Sequence, residues 1–335
     1  MEVSYNKSAY GIIEYTLKNG SGMTVKVINI GCSITEILVP DDTGKFSNVV
    51  LGYDTLEEYF RNEHFLGAVV APVAGRVKDA EFTIGEETFS IEANEGDNLL
   101  HSGSLNLYNR IWESSIEGDR VVFHYRMGDE FPGKPLIKVM YSLDEDNALK
   151  LEYEVETDGP GIMAPTNHTY FNLSSDPTED VSKQIIRSNF ASYLKMDEDL
   201  IPLSVEVCKG IFDLKQGRPF KEVFENDDDQ IEIANGGFDH YFMYEGEGGS
   251  VEVKDEASGR TLKMMTSFPG MVLYTGNNLG ENVDLKDRKP QKHAGFCLET
   301  QESPAALKLP LGFDVEIDER ETYKRETVFR FGVDK

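Results

Sequence analysis

Short apolar runs, many alternating with polar residues and closed by turn-forming residues, fill most of this chain. Residues 12–17 and 24–30 flank Asn19-Gly20-Ser21-Gly22, and a third run at 34–39 ends in Pro40-Asp41-Asp42-Thr43-Gly44. Gly and Asn between two such runs favour a hairpin, because both accept the positive φ of a tight turn. The same pattern predicts a hairpin at 81–91 turning near Gly85-Glu86, and another pairing 112–116 with 121–127 across Glu117-Gly118-Asp119. Residues 137–143 and 149–157 pair across Asp144-Glu145-Asp146-Asn147, and the clean alternation of 149–157 leaves one of its faces in water. A further hairpin joins 251–254 to 262–267; residues 271–274, 315–317 and 323–331 supply later strands. Helical signals are few: a capping-box start at 54–59 and one turn at 219–224. Residues 174–182 and 197–203 read as connections. With no repeat and no linker, the pattern predicts one all-β domain over residues 1–335, an antiparallel β-sandwich of large sheets.

Five stretches depart from this pattern. Residues 165–173, Pro-Thr-Asn-His-Thr-Tyr-Phe-Asn-Leu, combine aromatic rings with short polar groups, the mixture of a pocket wall. His168 at their centre is the side chain suited to proton transfer near neutrality. Taken alone, it reads as a satisfied histidine at a strand end. A small apolar run at 65–74 closes in Gly75-Arg76, where the arginine is either a strand-end residue or one reaching over a concave face. His101 stands where an apolar run meets a small-residue turn, which places it at a rim. Asp239 lies between aromatics after Gly236-Gly237, as a turn cap or a placed carboxylate. Glu299 follows Gly295-Phe296-Cys297-Leu298 and is either outward-facing or held in a partly dry site.

Composition narrows the chemistry. Thirty-three basic residues against 60 acidic ones give a net charge of −27. Such a surface repels polyanions, which disfavours nucleic acid and anionic membranes as partners and leaves a neutral or cationic small molecule. No window approaches the length of a membrane span, and the first residues lack the regions of a secretory signal. Cys32, Cys208 and Cys297 form neither a ligand spacing nor an even disulfide set, so a cytoplasmic location is expected.

With these residues in view, the chain resembles the aldose 1-epimerase (galactose mutarotase) family nearly end to end. The resemblance rests on Asn-His-Thr-Tyr-Phe-Asn-Leu, Phe-Asp-His, Tyr-Thr-Gly-Asn and Leu-Glu-Thr-Gln, occurring in that order. It implies a single-domain supersandwich of the galactose mutarotase type, an open sugar cleft and no cofactor. It implies Glu299 as general base, His168 as general acid and His101 as a second histidine near the ring oxygen. Arg76 and Asp239 would hold sugar hydroxyls, with Asn167 and Tyr170 as further substrate contacts. A nearby Glu299 carboxylate is expected to keep His168 charged. The implied ligand is a small neutral monosaccharide, and the implied state a monomer or weak homodimer.

The chain also departs from the family pattern. Gly75 replaces an asparagine, Ser102 a glycine, Val272 a glutamine, and Ser303-Pro304-Ala305 a Phe-Pro-Asp run. These changes bear on which sugar is taken rather than on proton transfer. Other readings of the same residues are a glycosidase using Asp239 and Glu299, a non-catalytic sugar-binding protein, and a metal site from His101, His168 and Glu299. The spacing of those last three matches no recognised ligand motif, so no metal is expected.

Overall fold

The computed structural model describes residues 1–246 and 248–334. Its frame is a nine-stranded and a six-stranded antiparallel sheet, joined by a five-stranded N-terminal sheet. The last long strand, Tyr323–Val333, lies inside the nine-stranded sheet between Ala148–Glu156 and Arg260–Thr266. It therefore closes the sheet by joining two sets of hairpins made earlier in the chain.

Alternation explains how the large sheet faces its surroundings. Leu149, Leu151, Tyr153 and Val155 are buried, while Lys150, Glu152 and Glu154 between them are half-exposed. The outer face is laced with ion pairs such as Lys150–Glu326 at 2.9 Å and Arg120–Glu152 at 3.3 Å. Exposed pairs of this kind add about 0–1 kcal/mol each, so stability comes from the inner face. There Phe171, Phe296, Phe329 and Phe331 bring rings of both large sheets together, with Phe171 5.3 Å from Phe329 and 5.8 Å from Phe296. Thr300 and Thr327 add a buried hydroxyl contact of 2.7 Å.

The six-stranded sheet runs in the order Tyr170–Phe171, Phe296–Gln301, Gly270–Tyr274, Asp239–Tyr244, Phe190–Met196, Pro202–Val207. Phe296–Gln301 has no exposed face: all six residues are buried. Phe296, Leu298 and Thr300 turn toward the core, which leaves Cys297, Glu299 and Gln301 on the other face.

Most expected hairpins are present with their turns. The 54–59 signal forms a 3₁₀ helix, Leu56–Phe60, behind a Thr55/Glu58 capping box, and the 219–224 turn is the helix Phe220–Phe224. The pattern gave no signal for the strand Glu2–Lys7, which is almost wholly exposed, or for the short helix Asp229–Ile233. Nor did it mark the hairpin of Phe190–Met196 with Pro202–Val207, whose second strand is an exposed edge.

Two buried arginines fix the chain just beyond the histidine stretch. Arg260, 1% exposed, donates to the carbonyls of Leu173, Val39 and Pro40 and to Ser47 and Ser175 hydroxyls. Arg288 donates to the carbonyls of Asn172, Ser174, Asn48 and Asp176. A planar fork with five donors satisfies several carbonyls at once, which a lysine cannot do. Replacing Arg260 with Met should therefore destabilise the protein by about 3 kcal/mol, read as a lower midpoint of denaturant unfolding.

Candidate active site

The face of the six-stranded sheet turned away from the core is the floor of a cleft. Pairing register places Tyr170, Cys297, Tyr274 and Asp239 in one row across four strands. The next row holds Glu299, Val272 and Tyr241, and the next Gln301 and Gly270. Same-face neighbours on a strand are two residues apart, so Cys297, Glu299 and Gln301 form a column across these rows.

The opposite wall comes from short strands. Thr166–Asn167 pairs with Val69–Val70, and His168 follows directly. Arg76–Val77 pairs with Leu99–Leu100, which sets Arg76 opposite Leu100 and beside His101. His101, Ser102 and Gly103 all have positive φ, at 52°, 63° and 50°. Hydrogen bonds hold this tight reversal in place: His101 N donates to Gly75 O and Gly75 N donates to His101 Nδ1, each at 3.1 Å. Because Nδ1 accepts, the ring proton of His101 is on Nε2.

The cleft measures about 210 Å³ and is lined by His168, Glu299, His101, Arg76, Asp239 and Tyr170, among others. That is below the roughly 300–1,000 Å³ usual for drug-sized ligands and fits one small molecule rather than a chain. His168 Nε2 lies 3.5 Å from Glu299 Oε1, and its Nδ1 lies 3.5 Å from Cys297 Sγ. Phe65 and Tyr170 flank the imidazole at 5.5 and 5.0 Å. Arg76 is forked onto Glu95, with Nε at 2.6 Å and Nη2 at 2.9 Å.

Electrostatics follow from burial. Loss of solvent pushes His168 down to about 4 and His101 well below the usual histidine range; for His101 the neighbouring His168 and Arg76 add to the effect. The same cause raises Glu299 well above the carboxylate range, helped by Asp239 and opposed by Arg76. Asp239 is raised by burial and drawn back by Arg76. A carboxylate at 3.5 Å does not outweigh this desolvation, so the expectation of a charged His168 is corrected. Burial thus works against charge on either member of the pair, raising Glu299 and lowering His168.

Six of the seven expected site residues meet in this cleft, and Asn167 does not. It is buried behind the wall, donating to Gly67 O at 3.0 Å, because it alternates in facing with its neighbour His168. Of the departures, Gly75, Val272, Ser303 and Pro304 line the cleft. Ser102 is turned inward, its hydroxyl bonded to Val73 N and O at 2.9 Å. Glu95 and Gln301 carried no sequence signal of their own. The first sits in a turn, and the second closes the Leu-Glu-Thr-Gln motif two residues past Glu299.

His168, Cys297 and Glu299 offer donor atoms within 4.8 Å of one another. The thiol faces Nδ1 and the carboxylate faces Nε2. An imidazole gives one nitrogen to a given ion, so an ion on this trio would give up the nearer contact of either the thiol or the carboxylate.

The model of the family described as aldose 1-epimerase matches residues 14–330. The chain is 32% identical to galactose mutarotase of Bos taurus, over 96% of this chain and 95% of that one. It is 29% identical to aldose 1-epimerase of Escherichia coli (strain K12), over 88% and 87%. Among solved structures it is similar to galactose 1-epimerase from Lactobacillus acidophilus NCFM, with a TM-score of 0.88, 27% identity and all of both chains covered. An aldose epimerase homologue from C. elegans shares the fold, with a TM-score of 0.87 at 23% identity over the whole of both chains.

The burial of His168 is open to direct measurement. In an NMR titration its ring should stay neutral through pH 6.5 and gain a proton only near pH 4. Since the unfolded chain binds that proton first, stability should fall as pH drops from about 6.5 toward 4. A midpoint near 6.5 would mean that the site is wet.

Proposed function

The chain belongs to the aldose 1-epimerase family, and from this premise we propose that Glu299 and His168 are its proton-transfer pair. The enzyme is an isomerase that interconverts the α and β anomers of a free aldose by opening and reclosing the ring. Glu299 takes the proton of the anomeric hydroxyl while His168 protonates the ring oxygen. Rotation about the bond to the freed aldehyde carbon, followed by the reverse transfers, gives the other anomer. The observation that carries this reading is the buried 3.5 Å contact between the two groups, in a cleft also lined by Arg76 and Asp239.

The proton count suits the cycle. Opening starts once a proton has passed from Glu299 to His168, giving carboxylate with imidazolium, and leaves the carboxylic acid with imidazole, so the pair holds one proton throughout. Neither direction of reaction requires net charge in the cleft. Positioned groups of this kind contribute about 10²–10⁴-fold each. His101, neutral and protonated on Nε2, acts as a hydrogen-bond donor at the ring oxygen rather than as an acid. Arg76, held by Glu95, offers its remaining guanidinium edge to sugar hydroxyls together with Asp239. Tyr170 carries the imidazole on its ring and closes that end of the floor.

The substrate is a small neutral monosaccharide such as galactose or glucose, in keeping with the names of the relatives and the net charge of −27. Residues 1–335 act as one catalytic domain, as a monomer or weak homodimer. Among the described residues no helix is long and apolar enough to cross a membrane. Together with three free cysteines, this supports a cytoplasmic enzyme. A glycosidase built on Asp239 and Glu299 would leave both histidines idle.

Polarimetry of fresh single-anomer sugar tests the pair. Glu299→Gln and His168→Asn should each lower kcat by about 10²–10⁴-fold with KM little changed, the pattern of an interaction made in the transition state. The double variant should lose little more than either single one; a Glu299→Gln protein with near-native kcat would sink the assignment. Prolonged dialysis against a chelator should leave turnover unchanged, and restoration by zinc after a loss would transfer the role to a metal.

A further inference from the structure

Gln301 lies two residues beyond Glu299 on the same strand, about 7 Å further along the cleft floor. It is 1% exposed and lines the cleft. Its Nε2 donates loosely to Glu302 O at 3.3 Å, while Oε1 has no hydrogen-bond partner among the described residues. A buried amide oxygen without a donor costs about 1–3 kcal/mol, so such an atom beside a ligand cleft calls for a donor from the ligand.

The surroundings hold this carboxamide and leave it open. Tyr241 Oη donates to Gln301 O at 3.0 Å, passing through the space that a side chain at Gly270 would occupy. Glu302, the next residue, is fixed by Arg325 at 2.6 Å and Tyr323 at 2.8 Å. At Gly75, with φ at +81°, an added Cβ would sit 3.5 Å from Gln301 Nε2 and from the Pro304 ring. A longer side chain there would stand in front of the carboxamide, and glycine keeps that approach clear. Beside Glu299 the next strand offers only Val272, which gives a hydroxyl nothing to bond.

We infer that Gln301 is a specificity-determining residue that accepts a hydrogen bond from one hydroxyl of the aldose, away from the anomeric centre. The polar group that reads the sugar at this end of the cleft is thus on the base's own strand. This rests on the reading of the cleft as the sugar site. The ligand chemistry is a ring hydroxyl donor, and a sugar lacking that hydroxyl, or carrying it on the other face, loses the contact.

The test is a cycle between side chain and substrate. Polarimetric kcat/KM is measured for native protein and Gln301→Met on galactose, glucose and their monodeoxy analogues lacking each non-anomeric hydroxyl in turn. Met keeps the length and removes the acceptor. The substitution should cost about 10- to 100-fold on the preferred sugar and almost nothing on one deoxy analogue. An equal loss on every sugar, or no loss on any, overturns the inference. If Gln301→Met does not fold, as read by circular dichroism, Gln301→Asn withdraws the acceptor by one methylene and is put through the same cycle. Native protein that accelerates no sugar at all would instead overturn the functional reading.

Discussion

The cleft buries a carboxyl group and an imidazole 3.5 Å apart, and burial works against the charged form of each. Desolvation raises Glu299 and lowers His168, so the two affinities for a proton are drawn together. Much of the surrounding structure serves this arrangement. Phe65 and Tyr170 exclude solvent from the imidazole, and Arg76 sets its charge against Asp239 and Glu95. Reversible proton exchange across a ring-opening step is a chemistry that such a pair supports without any change of total charge.

Dryness at Glu299 is a property of the architecture. A strand in the middle of an antiparallel sheet ordinarily presents one face to water. Here the core covers one face of Phe296–Gln301, and the wall built on Thr166–Asn167 and Arg76–Val77 roofs the other. That wall is irregular backbone, and it keeps its shape through specific hydrogen bonds: the His101–Gly75 pair, the Ser102–Val73 pair and the two arginines beyond Leu173. The site's precision therefore depends on loops held by polar contacts over a sheet held by apolar ones.

What the sequence made legible follows the same division. The nine-stranded sheet could be read from alternation because its outer face is wet, and the turns at 117–119 and 144–147 marked its hairpins. Glu2–Lys7 and Pro202–Val207 left no such trace, since edge strands bury too little to impose a pattern. At the site, the residues that break the pattern could be picked out singly, but their facing could not. Asn167 and Ser102 turn inward, Glu95 supports Arg76 from a turn nineteen residues away, and Gln301 faces the cleft only because Glu299 does. The protonation of His168 was misjudged because desolvation depends on what packs around a group, which local sequence does not specify.

The two-sided burial of Phe296–Gln301 also bears on how the protein can change over generations. Along this strand, parity separates two kinds of constraint. Residues 296, 298 and 300 are answerable to packing between the sheets, and 297, 299 and 301 to whatever occupies the cleft. Val272 and Tyr241 on neighbouring strands belong with the second set. Apart from Glu299, whose chemistry is fixed, positions in that set can change without disturbing the inter-sheet core, so sugar preference can shift on an unaltered scaffold. Val272, where this chain parts from the family pattern, lies on the cleft side of that divide.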